Sequence, residues 1–340
     1  MTTMPRLDDT ALSAAAAEDG FSGLVSLDVP GHEPVTRAFG YAERAFQVPH
    51  SRSTRYALAS GGKTFTALAV LRLVEQGRLR LDEPVRGVLG EDLPLVDDAV
   101  TPLHLLSHTS GIGDYLDESA GWEIDDYVLP VPVHTLVDAE AFLSVLDGYP
   151  QAFAPGERFA YCNGGYVVLA LVVERRSGQG YQQFVEEEVC GRAGLRSTGF
   201  LRSDELPADA ARGYLDATGL RTNVLHLPVL GNGDGGIVST APDLHRFWGA
   251  LLQGRIVGPP LLELLTTPRY DVPDEGLRHA AGLWLHATAP LLVMEGCDAG
   301  VSFRSTHDPG TGSTLSVLGN TSTGAWPVIG ELADLLVAAG

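Results

Sequence analysis

The sequence predicts an α/β chain in which one sheet draws strands from both ends and the middle is mainly helical. Three observations carry this reading. Near the amino end, GLVSLDV at 23–29, a turn at PGHE and VTRAFGYAE from Val35 read as a strand hairpin. After residue 280, GLWLHA, LLVMEG and STLSVLGN read as strands, and WPVIGELADLLVAAG closes the chain as a helix. Between these ends, TPLHLLSHTSGI, AEAFLSVLDG, GGYVVLALVVERRSG and YQQFVEEEV read as helical pieces joined by long loops. The division that follows is an α/β part made of 1–66 and 245–340, and a mainly helical part at 67–244.

Individual elements follow from local composition. Residues 7–19 are alanine-rich and read as a short helix. The segment from Ser60 to about Gly77 is apolar almost all round, through Phe65, Leu68, Leu71, Leu73 and Val74, so it reads as a buried helix with Gly77 as its C-cap. The stretch 112–135 has little periodicity and reads as a long loop.

Bulk properties exclude several classes of function. The chain has 340 residues, 44% of them hydrophobic and 19% charged, which describes a globular protein with a substantial core. A formal charge of -20 would repel nucleic acid and anionic membrane surfaces, so neither is expected as a partner. No apolar run reaches the ~18 residues of a membrane span. No basic segment followed by an apolar core opens the chain, so no secretory signal is read there. Cys162, Cys190 and Cys297 are odd in number and widely spaced, which suits a reducing compartment and gives no zinc pattern. The expected location is cytoplasmic. His104, His108, His226 and His245 lack metal-ligand spacing, and no phosphate-cradling glycine loop is present. Neither metal nor cofactor is expected.

Lys63 is the only lysine, against 22 arginines. Coding bias toward arginine accounts for the 22. Arginine is always protonated, however, whereas a buried lysine can shed its proton and act as a base. Ser60 lies three residues earlier, on the same face of the helix and at its start, where backbone N–H groups and the macrodipole favour an oxyanion. A serine hydroxyl beside a desolvated amine is a nucleophile next to its base. Alone, SxxK also fits a serine serving as N-cap. A second segment, Tyr161-Cys162-Asn163, sets a tyrosine and an asparagine two apart just before a helix. They read either as a proton relay and a hydrogen-bonding partner, or as an aromatic anchor and an N-cap. A third, LLVMEGCDAGVSFRS, reads as a strand meeting a glycine turn, and such a strand could give a second backbone N–H to an oxyanion.

Together these segments resemble the serine β-lactamase-like family, which includes class C β-lactamases, D-Ala-D-Ala carboxypeptidases and related esterases and acyltransferases. SxxK is a motif of β-lactamases and penicillin-binding proteins. The resemblance runs from about Gly20 to Asn320, through LVEQGRLRLDEPV, VTPLHLLSHTSGI, PGERFAYCNGGY, GDGGIVSTAPDLHRF and GCDAGVSFRS. It implies a β-lactamase/transpeptidase-like fold, an antiparallel sheet with flanking helices beside an all-helical domain, with the active site in the cleft between. It further implies Ser60 as acylated nucleophile, Lys63 as its base, Tyr161 as general base and acid, and Asn163 positioning Lys63. The oxyanion hole would be the N–H groups of Ser60 and Cys297, if Met294-Glu295-Gly296 occupies the third motif.

That third motif departs from the family pattern, which begins with Lys or His. Met294 cannot hold a substrate carboxylate, and Glu295 would repel one if it faced the cleft. An inward Glu295 would instead favour an amine-bearing or neutral substrate. Tyr115 and Trp122, in the 112–135 loop, are candidates for the cleft wall or for packing. The sequence therefore points to an intracellular esterase or amidase acting on a small acyl substrate. An acyltransferase uses the same residues, and a D-amino-acid peptidase, a β-lactamase or a catalytically silent binding domain shares the fold.

Overall fold

The structure is a computed structural model, and it describes residues 5–118, 121 and 123–337. Its main sheet has eight strands: β1 (Gly23–Asp28), β2 (Val35–Phe39), β3 (Tyr270–Val272), β4 (Leu277–His279), β5 (Trp284–His286), β6 (Leu292–Asp298), β7 (Val301–His307) and β8 (Thr314–Gly319). The order across the sheet is β2-β1-β8-β7-β6-β5-β4-β3, with every neighbouring pair antiparallel. The amino-terminal hairpin thus joins the carboxy-terminal strands where β1 pairs with β8, Gly23 opposite Gly319 and Asp28 opposite Thr314. Strands β1 and β8 are buried along their whole length, because helices cover both faces.

One face carries α1 (Asp9–Glu18) and the helix α5 (Ala325–Glu331), packed through Leu12, Val25, Leu27, Val317 and Val328. The other face carries α2 (Lys63–Glu75) and α4 (Ala241–Leu252), through Leu24, Phe65, Trp248, Phe303 and Leu318. Helix α2 is buried from Lys63 to Leu73, as its all-round apolar character predicts, and it packs on α3 (Asn163–Ser177). It ends at Gly77, φ 68, in the left-handed conformation expected of a glycine cap.

Two short pieces escaped the sequence reading. Tyr56–Ala57, Gly199–Phe200 and Ile237–Ser239 form a small antiparallel sheet, which ties the segment before Ser60 to the segment after Asp234. Two-residue strands carry no periodicity that sequence could reveal. The β3–β4 hairpin was also missed, since Tyr270–Val272 and Leu277–His279 are three residues each. No described helix is long and apolar enough to cross a membrane.

Candidate active site

Ser60 lies in the tight turn Ala59–Gly62 that leads into α2. Ala59 has φ 44, a left-handed conformation that costs a non-glycine residue energy and is held by its surroundings. Those surroundings include β6. A Cβ on Gly296 would stand 2.5 Å from the Ser60 nitrogen and 2.5 Å from the Leu58 oxygen, so only glycine lets the strand come this close. Strand β5 pairs with β6 only at Leu292 and Val293. The edge of Met294–Asp298 beside Ser60 therefore has no strand partner.

Lys63 Nζ is buried and makes three hydrogen bonds of 2.8 Å, to Ser60 Oγ, Asn163 Oδ1 and the Asp234 carbonyl. Burial lowers its pKa, and the carboxylates of Asp234, Glu118, Asp114 and Asp298 oppose that shift. Asn163 is fixed from its other end, with Nδ2 donating to the Leu116 carbonyl and to Glu118 Oε1, both at 2.9 Å. Its backbone N–H donates to Asp114 Oδ2 at 2.6 Å, and Gly164 donates to Asp114 Oδ1 at 2.8 Å. The cap of α3 is thus Cys162, whose Sγ accepts from Gly165, with Asp114 taking two more of the orphan donors. Asn163 is left free to bind the lysine. Burial raises Asp114 to about 6, against the pull of these N–H groups.

Tyr161 lines the same small recess as Ser60, and its ring centroid is 5.0 Å from Lys63 Nζ. Burial pushes its phenol well above the ordinary value, so it stays protonated at neutral pH. The ring stacks on His108, centroids 4.4 Å apart, and lies parallel to Trp284 at 6.2 Å. His108 adopts φ 54, and its Nδ1 accepts from the Cys162 N–H at 3.1 Å. His108, which lacks metal-ligand spacing, is therefore the floor under Tyr161.

The third motif divides by strand alternation. Met294, Gly296 and Asp298 share the face toward Ser60, and Met294 is buried beside Lys63, Tyr161 and Trp284. Glu295 and Cys297 point the other way. The Glu295 carboxylate binds Arg304 Nε at 2.7 Å, beneath Trp326 of α5, and Cys297 Sγ donates to the Ser322 carbonyl at 3.2 Å. An inward Glu295 is thereby corrected, because its burial is compensated by the arginine opposite it on β7. On this strand, the acid whose side chain faces the cleft is Asp298.

Ser60 opens on a cavity of about 140 Å³, walled by Leu116, Leu129, Leu206, Pro228, Val238 and Val301. Its polar members include Asn163, Asp234, Asp298 and Glu118, and among the described residues neither lysine nor arginine lines it. Tyr115 belongs to this wall, with its hydroxyl donating to the Asp234 carboxylate and Tyr127 bonding its carbonyl at 2.6 Å. Trp122 lies outside the described residues. Asp234 entered the sequence reading only within the segment GDGGIVSTAPDLHRF. It works here through its backbone carbonyl, a group that no side-chain pattern announces.

A serine abutted by a strand edge and bonded to a buried lysine, with a protonated tyrosine beside it, lies between the sheet and the helices of a β-lactamase/transpeptidase-like fold. The chain belongs to the β-lactamase family, whose model matches residues 9–338. It is 36% identical over 203 residues to esterase EstB of Burkholderia gladioli, covering 58% of this chain and 51% of that one. It is 26% identical over 302 residues to the D-aminopeptidase of Brucella anthropi, covering 84% and 54%. The chain thus spans about half the length of these two curated relatives. The penicillin-binding protein from Bacillus halodurans superposes with a TM-score of 0.87 at 35% identity, over 95% of this chain and 99% of that one. The family is one of serine hydrolases, with esterases and D-aminopeptidases among its members.

Proposed function

We propose that this chain is a serine hydrolase that forms an acyl-enzyme on Ser60 and acts as an esterase or amidase on a neutral or amine-bearing small acyl substrate. One observation carries the reading. A neutral amine has two N–H donors and one lone pair. Asn163 Oδ1 and the Asp234 carbonyl take the two donors, so the lone pair of Lys63 Nζ is left facing Ser60 Oγ. Ser60 passes its proton to Lys63 as Oγ bonds the acyl carbon. The protonated Tyr161 then supplies a proton to the leaving oxygen or nitrogen, and water attacks the acyl-serine by the reverse route. The N–H groups of Ser60 and Cys297 hold the oxyanion, a pairing supported by the contact of Gly296 with the Ser60 amide.

The absence of a cation at Met294 and along the described cavity wall makes carboxylate-bearing penicillins poor substrates. An intracellular setting is supported by three cysteines, none of them in a disulfide. The test is intact mass after brief exposure to nitrophenyl butyrate, for wild type and Ser60→Ala. One added acyl group in wild type alone, or ester turnover lost in the variant, is the expected result. Neither adduct nor turnover from wild type would overturn the reading.

A further inference from the structure

We propose that Asp298 is the subsite for an ammonium group on the acyl portion of the substrate, close to the scissile carbonyl. The inference rests on the proposed acyl-enzyme at Ser60 and adds a substrate class and the residue that reads it.

The position of Asp298 is the first argument. It lies two residues beyond Gly296, which touches the Ser60 amide, and therefore on the same side of β6 at about 7 Å along the strand. It lines the same cavity as Ser60. A group that meets this carboxylate while its carbonyl sits at the serine must be attached within an atom or two of that carbonyl.

The state of the carboxylate is the second. Its first oxygen accepts from the Ala299 N–H at 3.0 Å. Among the described residues its second oxygen receives no hydrogen bond, and the residue is half-buried at the cavity wall. Burial, with Asp234 and Glu118 nearby, raises it to about 7 against the pull of the Ala299 N–H and Lys63. A half-buried carboxyl with one acceptor oxygen unengaged can take a cationic ligand, whose charge would favour its ionised form.

The hairpin that carries Asp298 is held firmly. Asn223 donates to the Ala299 carbonyl at 2.8 Å, Gly300 donates to Ser322 Oγ at 2.8 Å, and Ser322 in turn binds Asp125. Gly300, at φ 71, packs directly on Gly213 and Tyr214. The carboxylate is thus preorganised, which is what a recognition group requires. Asp234 is occupied by Tyr115 and Glu118 by Asn163, so neither is as free as Asp298 to take a ligand.

The test uses two nitrophenyl esters of nearly one shape, alanine (both enantiomers) and isobutyrate, which differ by an ammonium in place of a methyl group. At about pH 7 the α-ammonium is largely charged. Wild type should favour the better alanine ester by at least about tenfold in kcat/KM, and Asp298→Asn should bring that ratio to near one. The ratio is taken within each protein, so a general loss of activity divides out. Isobutyrate turnover with a wild-type ratio near one overturns the inference and leaves the serine hydrolase standing. A wild-type preference that persists in Asp298→Asn overturns the assignment to this residue. No turnover of either ester by wild type overturns both. If the variant does not fold, the wild-type ratio alone decides whether an ammonium is recognised. Relief of the preference by ethylammonium, competing more strongly with the alanine ester than with isobutyrate, then supports the subsite; equal inhibition of both esters overturns it.

Discussion

The two walls of the cleft differ in kind. On the helical wall, Ser60, Lys63, Tyr161 and Asn163 have the residue types that the family resemblance implies; Lys63 bonds Ser60 and Asn163, and the Tyr161 ring lies 5.0 Å from its Nζ. On the strand wall, the position expected to hold a cation is the thioether Met294, and the charged group that faces the cavity is an acid, Asp298. In the function proposed above, the first wall breaks an acyl bond and the second selects which acyl group arrives. A change of substrate can therefore be written on β6 without touching the lysine network.

Substitutions can break or sharpen that contrast. On the helical wall, Ser60→Ala should lower kcat/KM for nitrophenyl butyrate by at least about 10⁴-fold. Lys63→Arg should cost about 10³-fold, because arginine has no removable proton. Lys63 also sets the pH profile. Its pKa is lowered by burial, so the active neutral amine grows as pH rises, and wild-type kcat/KM should climb through a limb below the ordinary lysine range. A pH profile of Lys63→Arg lacking that limb would assign it. Tyr161→Phe keeps the ring on His108 and removes the proton, and should cost about 10²-fold in steady-state ester turnover.

The strand wall should respond differently. Met294→Lys should raise kcat/KM for a chromogenic cephalosporin about tenfold relative to the neutral ester, since one charged contact is worth roughly that factor. An equal change for both substrates would mean that the wall does not sort carboxylates. Glu295→Gln, facing Arg304, should lower unfolding free energy by about 1–2 kcal/mol in denaturant titration. Its ester kinetics should stay within about twofold. A large kinetic effect there would erase the distinction between the two faces of β6.

Much of this was legible in the sequence, for identifiable physical reasons. The all-round apolar helix after Ser60 and the strands at 23–28, 292–298 and 314–319 are apolar runs long enough to read without their partners. Lys63 stood out because arginine fills every other basic position. What escaped was of two sorts. Strands of two or three residues are set by their partners, as at Tyr56–Ala57 with Ile237–Ser239. Contacts made by backbone atoms, such as the Asp234 carbonyl on Lys63, depend on where the chain passes and not on side-chain type. Glu295 illustrates a third limit. Its facing was set by strand register, and a one-residue shift reverses inside and outside.

The pairing of β1 with β8 has a consequence for synthesis. Residues 23–28 find their second strand partner only in 314–319, near the opposite end of the chain, and Gly296, which braces Ser60, also arrives late. A ribosome-bound chain therefore carries its nucleophile long before it can carry a sheet. Until the last strands emerge, β1 has only β2 beside it, with an apolar edge open to other chains. Long-range strand pairing of this kind is slow to form and exposed to misassociation. Crowded translation should thus limit the yield of active protein before thermal stability does.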